Sequence, residues 1–240
     1  MFNRTILAIA LLMAATGTAA ADPQIATKVV AVIEKNLSPE NFIGIYEFTN
    51  TRLDKTTTQY IIQFESRDVN HTRGYFQKPE RDKGRETLRI DENLWTWMPS
   101  VGKIVRIADR DSFAGGDFSN ADVMRADWLS KYNAEMAKET ANQYIIDLKA
   151  KTPDAAYAKM RLWVDKKNGQ PVQQQYYDSN GTLLKRCLYG SVRKTGSIER
   201  PMHLQMENVI TKQKSELKIL DLKLDQKIPE SRFVTDNLGK

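Results

Sequence analysis

From Phe42 onward the apolar residues of this chain recur at every second position, in short runs bounded by tight-turn sequences, and few folds accept that pattern. Thr56 to Ser66 sets Tyr60, Ile62 and Phe64 on one face against Gln59, Gln63 and Glu65 on the other. Lys159 to Asp165 does the same with Met160, Leu162 and Val164, and Met202, Leu204 and Met206 alternate with His203, Gln205 and Glu207. Lys167-Asn168-Gly169 and Ser179-Asn180-Gly181 are hairpin turns between such runs, because asparagine and glycine tolerate the positive φ that a two-residue turn requires. Alternation of this kind marks antiparallel strands with one wet and one packed face.

Further strands are predicted at Phe42 to Thr49, Arg67 to Gln77, Thr87 to Ile90, Leu94 to Met98, Lys103 to Ala108, Gln143 to Lys149, Val172 to Tyr177 and Thr182 to Tyr189. Leu220, Leu222 and Leu224 are expected to share the packed face of a last strand. Pro23 to Leu37 differs, with Ile25, Val29, Val30, Val32 and Ile33 at the spacing of an amphipathic helix that Ser38-Pro39 ends. Ser119 to Asp122 offers a helix N-cap pattern, and Asp127 to Ala141 reads as a partly helical connection whose latter half is open to being extended. So many strands with so few helices must curl and cover their apolar face with the helix and the connection. No repeat or linker divides the chain, so 22–240 is expected to form one domain.

Leu94 to Asp122 is the most distinctive stretch. Trp95 and Trp97 share one strand face, and Phe113 and Phe118 sit in a polar loop that must fold inward over an apolar space. The segment Trp-Thr-Trp-Met-Pro-Ser-Val-Gly-Lys-Ile-Val-Arg-Ile, followed by Phe-Ala-Gly-Gly-Asp-Phe-Ser-Asn-Ala-Asp, resembles the outer-membrane lipoprotein-sorting family of LolA/LolB-like periplasmic carriers, and its LolA-like branch most closely. Gly115-Gly116-Asp117-Phe118 stands where that family usually has Gly-Ser-Asp-Phe. The resemblance implies a mainly β fold, a half-open antiparallel β-barrel formed by a strongly curved sheet, with an N-terminal helix and a helical and loop lid over the concave apolar face. It also implies that this face holds acyl chains. The cavity candidates are then Tyr60, Ile62, Phe64, Trp95, Trp97, Met160, Leu162, Met202, Leu204 and Met206. A methionine-rich lining suits a permissive binding surface, although the residues alone favour a packed core and it is the resemblance that points to a cavity.

Arg106, between Val105 and Ile107, has two readings. It either pairs with Asp117 or Asp122 and latches the loop, with Phe113 and Phe118, over the cavity mouth, or it is a solvent-facing arginine of an ordinary strand.

Met1 to Ala21 reads as a cleavable signal peptide. Arg4 supplies the charge, Ile6 to Ala15 an apolar run too short to span a bilayer, and Ala19-Ala20-Ala21 the small-residue exit. No cysteine follows the exit, so no lipid anchor is expected there, and export to a periplasm is. Cys187 is the single cysteine, which excludes an internal disulfide framework and a cysteine zinc site. The formal charge of +6 reads as a dispersed excess that favours transient contact with anionic membrane surfaces and gives no basic arm for nucleic acid.

No catalytic constellation emerges. His71 and His203 lack metal-ligand spacing, no serine lies in a Gly-x-Ser-x-Gly elbow, and a capped loop explains Asp109, Asp111 and Asp117 without calcium. No cofactor or metal is expected. Two functions remain open. One is a monomeric carrier of a lipid or acylated lipoprotein, working with an inner-membrane transporter and an outer-membrane acceptor. The other is a periplasmic sensor or interaction module on the same fold. A sensor of that kind usually carries a further partner-binding domain, so a chain that stops at Lys240 is the expectation for the carrier.

Overall fold

The structure, a computed structural model, describes residues 23–240. The predicted signal peptide lies outside the described residues. Helix α1 spans Pro23–Leu37, as its 3.6-residue period predicts, and buries Ala26, Val30 and Ile33. Thirteen strands follow: β1 (Phe42–Thr51), β2 (Thr57–Asp68), β3 (His71–Lys78), β4 (Glu86–Ile90), β5 (Asn93–Met98), β6 (Lys103–Ile107), β7 (Tyr132–Glu139), β8 (Gln143–Ala150), β9 (Lys159–Asp165), β10 (Pro171–Tyr177), β11 (Leu183–Thr195), β12 (Ile198–Asn208) and β13 (Lys214–Lys223). Two short helices, α2 (Asn120–Met124) and α3 (Trp128–Lys131), interrupt them between β6 and β7. None of the described helices is long and apolar enough to cross a membrane.

All thirteen strands form one curved antiparallel sheet in the order β6-β5-β4-β3-β2-β1-β13-β12-β11-β10-β9-β8-β7. The first and last strands pair at its centre, Phe48 opposite Leu217. The two free edges, β6 and β7, are consecutive in the chain, so the connection 108–131 must travel from one edge to the other. Its route lies over the concave face, where it packs beside α1 in the main hydrophobic core.

Strand parity then decides which side chains look inward. Ile62 opposite Phe76, and Phe64 opposite Gly74, place Tyr60, Ile62 and Phe64 on the concave side. On β5 the concave residues are Leu94 and Thr96. Trp95 and Trp97 point to the convex side, where Leu88 is the cross-strand partner of Trp95. This corrects the expectation that the two tryptophans line the cavity. The convex side is also covered here, by the C-terminal 3-10 turns Glu230–Phe233 and Thr235–Asn237, which bring Phe233 and Leu238 onto Leu88. A Cβ on Gly239 would lie 2.3 Å from the Trp97 ring, so only glycine lets the strap pass that close. Beneath the strap Arg73 pairs with Glu86 at 2.5 Å, and Arg232 grips Glu65 through two bonds of 2.9 and 3.0 Å.

A second correction concerns β13. A bulge opposite Ile45 and Tyr46 shifts the register between Ile219 and Asp221, so Ile219 and Leu222 are buried and Leu220 is 50% exposed. Leu220 does not share the packed face with Leu222.

Phe233→Ala should lower unfolding stability by about 3 kcal/mol, the usual cost of deleting a buried phenylalanine. Urea denaturation checks this. A midpoint equal to wild type would mean that the strap is not part of the cooperative fold.

Candidate functional site

The concave face and the segment that fills it form the candidate site. Eight of the ten sequence-predicted lining residues meet there in one buried cluster: Tyr60, Ile62, Phe64, Met160, Leu162, Met202, Leu204 and Met206. Trp95 and Trp97 are the two that do not. Cys187 is free and wholly buried in the same cluster, and burial pushes its thiol well above the ordinary range.

Residues 112–119 close on themselves. The Phe113 amide donates to the Phe118 carbonyl at 2.8 Å, and Ser112 and Ser119 form a bridge across the loop. Both phenylalanines therefore project together into the concavity. The Phe113 ring lies 5.1 Å from that of Phe48, 6.0 Å from Phe64 and 5.9 Å from Phe76, and Phe118 meets Phe48 edge-on. The tight return at the tip uses left-handed backbone at Ala114 (φ 51°) and Gly115 (φ 69°). Gly116 passes so near Asn50 that an added Cβ would lie 2.2 Å from its Oδ1. What is left of the concavity at its centre is a space of about 60 Å³, bordered by Phe42, Tyr46, Phe118, Met124, Tyr176 and Leu217. That accommodates a few water molecules and no acyl chain. Phe113 and Phe118 thus occupy the interior as a plug.

Polar contacts fasten the plug. The Asp117 amide donates to Ser215 Oγ at 2.9 Å, and that hydroxyl donates to Asp117 Oδ2 at 3.0 Å. Asn50 Nδ2 donates to the Ala114 carbonyl, and Lys185 Nζ to the Asp117 carbonyl at 2.6 Å. Ser119 and Asp122 form the full capping box of α2, and the Tyr157 hydroxyl donates to Asp122 at 2.7 Å. Burial and the Asp122 charge push the Tyr157 hydroxyl well up, so it stays a donor at neutral pH.

Of the two readings of Arg106, the latch is not formed and the solvent-facing arginine is what the structure has. Arg106 opposes Trp95 on the convex side, is exposed, and donates to Asn93. The arginine that reaches the connection is Arg89, opposite Leu94 on the concave side, its side chain wholly buried. It pairs with Asp109 at the base of the plug and donates to the Asp91 carbonyl at 3.1 Å. Sequence reasoning missed it because Leu88 and Ile90 alternate with Thr87 and Arg89, which places the arginine outside if only one face is packed. On β4 both faces are packed.

Helix α1 holds the other end of the connection. Glu34 Oε1 accepts the Leu129 amide at 2.6 Å, and Ser38 Oγ accepts the Ala126 amide at 2.8 Å. Burial, reinforced by the nearby Asp127 charge, raises Glu34 from its ordinary 4.5 to about 7, against the lowering pull of the Leu129 amide. No group of three or more potential metal ligands gathers among the described residues.

An acid with a raised folded-state pKa binds more protons folded than unfolded between the two values. Stability contributed by Glu34 is therefore greatest below about pH 4.5, falls as pH rises to about 7, and is flat above. Glu34→Gln should remove that part of the slope and stabilise the protein most at pH 8, as read by thermal melts at pH 5.5 and 8. Equal slopes in variant and wild type would mean that Glu34 ionises as freely as in water.

Comparison with known proteins places this architecture. The profile of a family described as uncharacterized protein-like matches residues 69–240. No curated protein matches the sequence. Among solved structures, the LolA superfamily protein NE2245 from Nitrosomonas europaea superposes with a TM-score of 0.80 at 24% identity, covering 89% of this chain and 99% of its own. A protein described as an outer membrane lipoprotein-sorting protein domain, from Vibrio parahaemolyticus, gives 0.79 at 20% identity, covering 91% and 98%. A DUF1329 family protein from Desulfovibrio piger gives 0.80 at 18%, covering 90% and 99%. At these identities the likeness carries the fold. The chain belongs to the family of uncharacterized proteins whose profile spans 69–240, and its fold is that of the LolA superfamily.

Proposed function

We propose that this protein is a periplasmic carrier that binds the acyl chains of a lipid or lipoprotein on its concave face, in place of the Phe113–Phe118 plug, and delivers them toward the outer membrane. The observation that carries the reading is the plug itself. Phe113 and Phe118 are contributed by a connection, not by the sheet, and they fill an aromatic and methionine-lined concavity with apolar surface that an acyl chain can replace. Each methylene transferred there from water contributes roughly 0.8 kcal/mol. One or two chains therefore offset the loss of the two phenylalanine contacts and need no catalytic group.

The fastenings of the plug set how readily it leaves. They are hydrogen bonds made by a handful of side chains, some neutral and some to Asp117, Asp122 or Lys185, and the Arg89–Asp109 pair lies at its base, so the loop can swing out while that base holds. The likeness to structures described as lipoprotein-sorting supports the same reading by fold.

Native mass spectrometry of the protein isolated gently from its host is expected to show an adduct of lipid mass. A clean apo mass, with no uptake of a fluorescent fatty-acid probe, would contradict the carrier reading. Truncation of the plug in a Phe113→Ala/Phe118→Ala variant is expected to raise probe affinity several-fold, because the site no longer has to be vacated, and to lower stability by several kcal/mol. Weaker probe binding in a folded variant would show that the phenylalanines are part of the site and not its competitor.

A further inference from the structure

In an antiparallel sheet whose strands follow one another in order, alternate turns lie at the same rim. The turns β1–β2, β3–β4, β5–β6 and β12–β13 are neighbours on one rim. Three of them carry a large apolar residue at the tip, turned to solvent: Leu53 is 66% exposed, Val101 53% and Ile210 62%. At the opposite rim the turns 69–70, 91–92, 140–142, 167–169 and 196–197 carry no such residue.

The charges gather at the same place. Residues 52–55, 78–85, 99–103 and 209–214 hold nine lysines and arginines and three acids. The whole chain has 36 and 30, which leaves 27 of each elsewhere. The positive excess is therefore not dispersed, as the sequence suggested, but sits on these four turns together with the strand ends Lys78, Lys103 and Lys214 beside them. A recess of about 300 Å³ opens on this rim, bordered by Arg52, Arg81, Lys214 and the 114–117 backbone at the tip of the plug.

We propose that this rim docks on an anionic lipid bilayer, with Leu53, Val101 and Ile210 entering the interface and the surrounding lysines and arginines resting among the head groups. Single apolar residues on separate turn tips, each within two residues of a basic one, suit shallow insertion at several points, and the charge attracts an anionic leaflet. A protein partner would ordinarily be met by a contiguous patch. The proposal rests on the surface alone and does not require that the interior hold acyl chains. It would place the plug tip against the membrane.

The test is co-sedimentation of lipid-free protein with vesicles of phosphatidylglycerol and phosphatidylethanolamine, and with vesicles of phosphatidylcholine alone. Binding is expected to the anionic vesicles, at least tenfold weaker to the neutral ones, and to fall steeply with added salt. Leu53→Ser/Val101→Ser/Ile210→Ser and, separately, Lys83→Glu/Lys103→Glu/Lys212→Glu should each weaken it at least tenfold. Leu220→Ser, at an equally exposed apolar residue on a strand face away from the rim, should leave it unchanged. All the changes are at exposed positions, and unaltered thermal melts check that each variant folds. No binding to anionic vesicles, or binding that the rim variants leave intact, would overturn the proposal. Loss of vesicle binding with retained uptake of a fatty-acid probe would separate this rim from the interior site.

Discussion

An open antiparallel sheet with one apolar face must bury that face, and here the burial of Phe113 and Phe118 against Phe48, Phe64 and Phe76 completes it. The topology leaves little choice. The sheet ends in β6 and β7, and the chain between them has to cross the opening. Any apolar residues on that crossing are delivered to the concavity. The rest of the connection is arranged to hold it there, through Asp117 and Ser215, Asn50 and Ala114, Arg89 and Asp109, and the bonds to Glu34 of α1 and to Ser38 just beyond it.

This division of labour separates the fold from the filling. Twelve strand-to-strand ladders join the sheet, and the pairing of β1 with β13 ties the two halves of the chain at its centre. The plug adds few backbone bonds to that framework. Its hold on the sheet is made instead by buried side chains, Phe113 and Phe118 above all. The C-terminal strap plays the opposite part. It covers the convex side of β3 to β5 over the buried Arg73–Glu86 ion pair, and its own half-exposed Arg232 pairs with Glu65. Its removal would expose Trp95 and Trp97.

Much of this was legible in the sequence. Helical spacing predicted α1 at Pro23–Leu37, and the alternation of Tyr60, Ile62 and Phe64, or of Met202, Leu204 and Met206, predicted both strand and buried face. The capping pattern at Ser119 and Asp122 became a full capping box. Where the reading failed, the sequence lacked the deciding information. Alternation says which residues share a face but not which face is inward when both are covered, so Trp95 and Trp97 were placed on the wrong side and Arg89 was passed over. A bulge shifts parity without a local signature, so Leu220 was expected beside Leu222. The basic rim was invisible because four turns distant in sequence become neighbours only through strand order.

The account turns on the plug leaving its place when acyl chains arrive. Spin labels on a Ser112→Cys/Thr57→Cys variant in a Cys187→Ser background, at exposed positions of the plug and of β2, report the distance between them. With a saturating fatty acid the distance distribution should shift outward as Phe113 and Phe118 withdraw. A distribution unchanged while the fatty acid is bound would contradict the account, since the ligand would then occupy a place the plug does not fill.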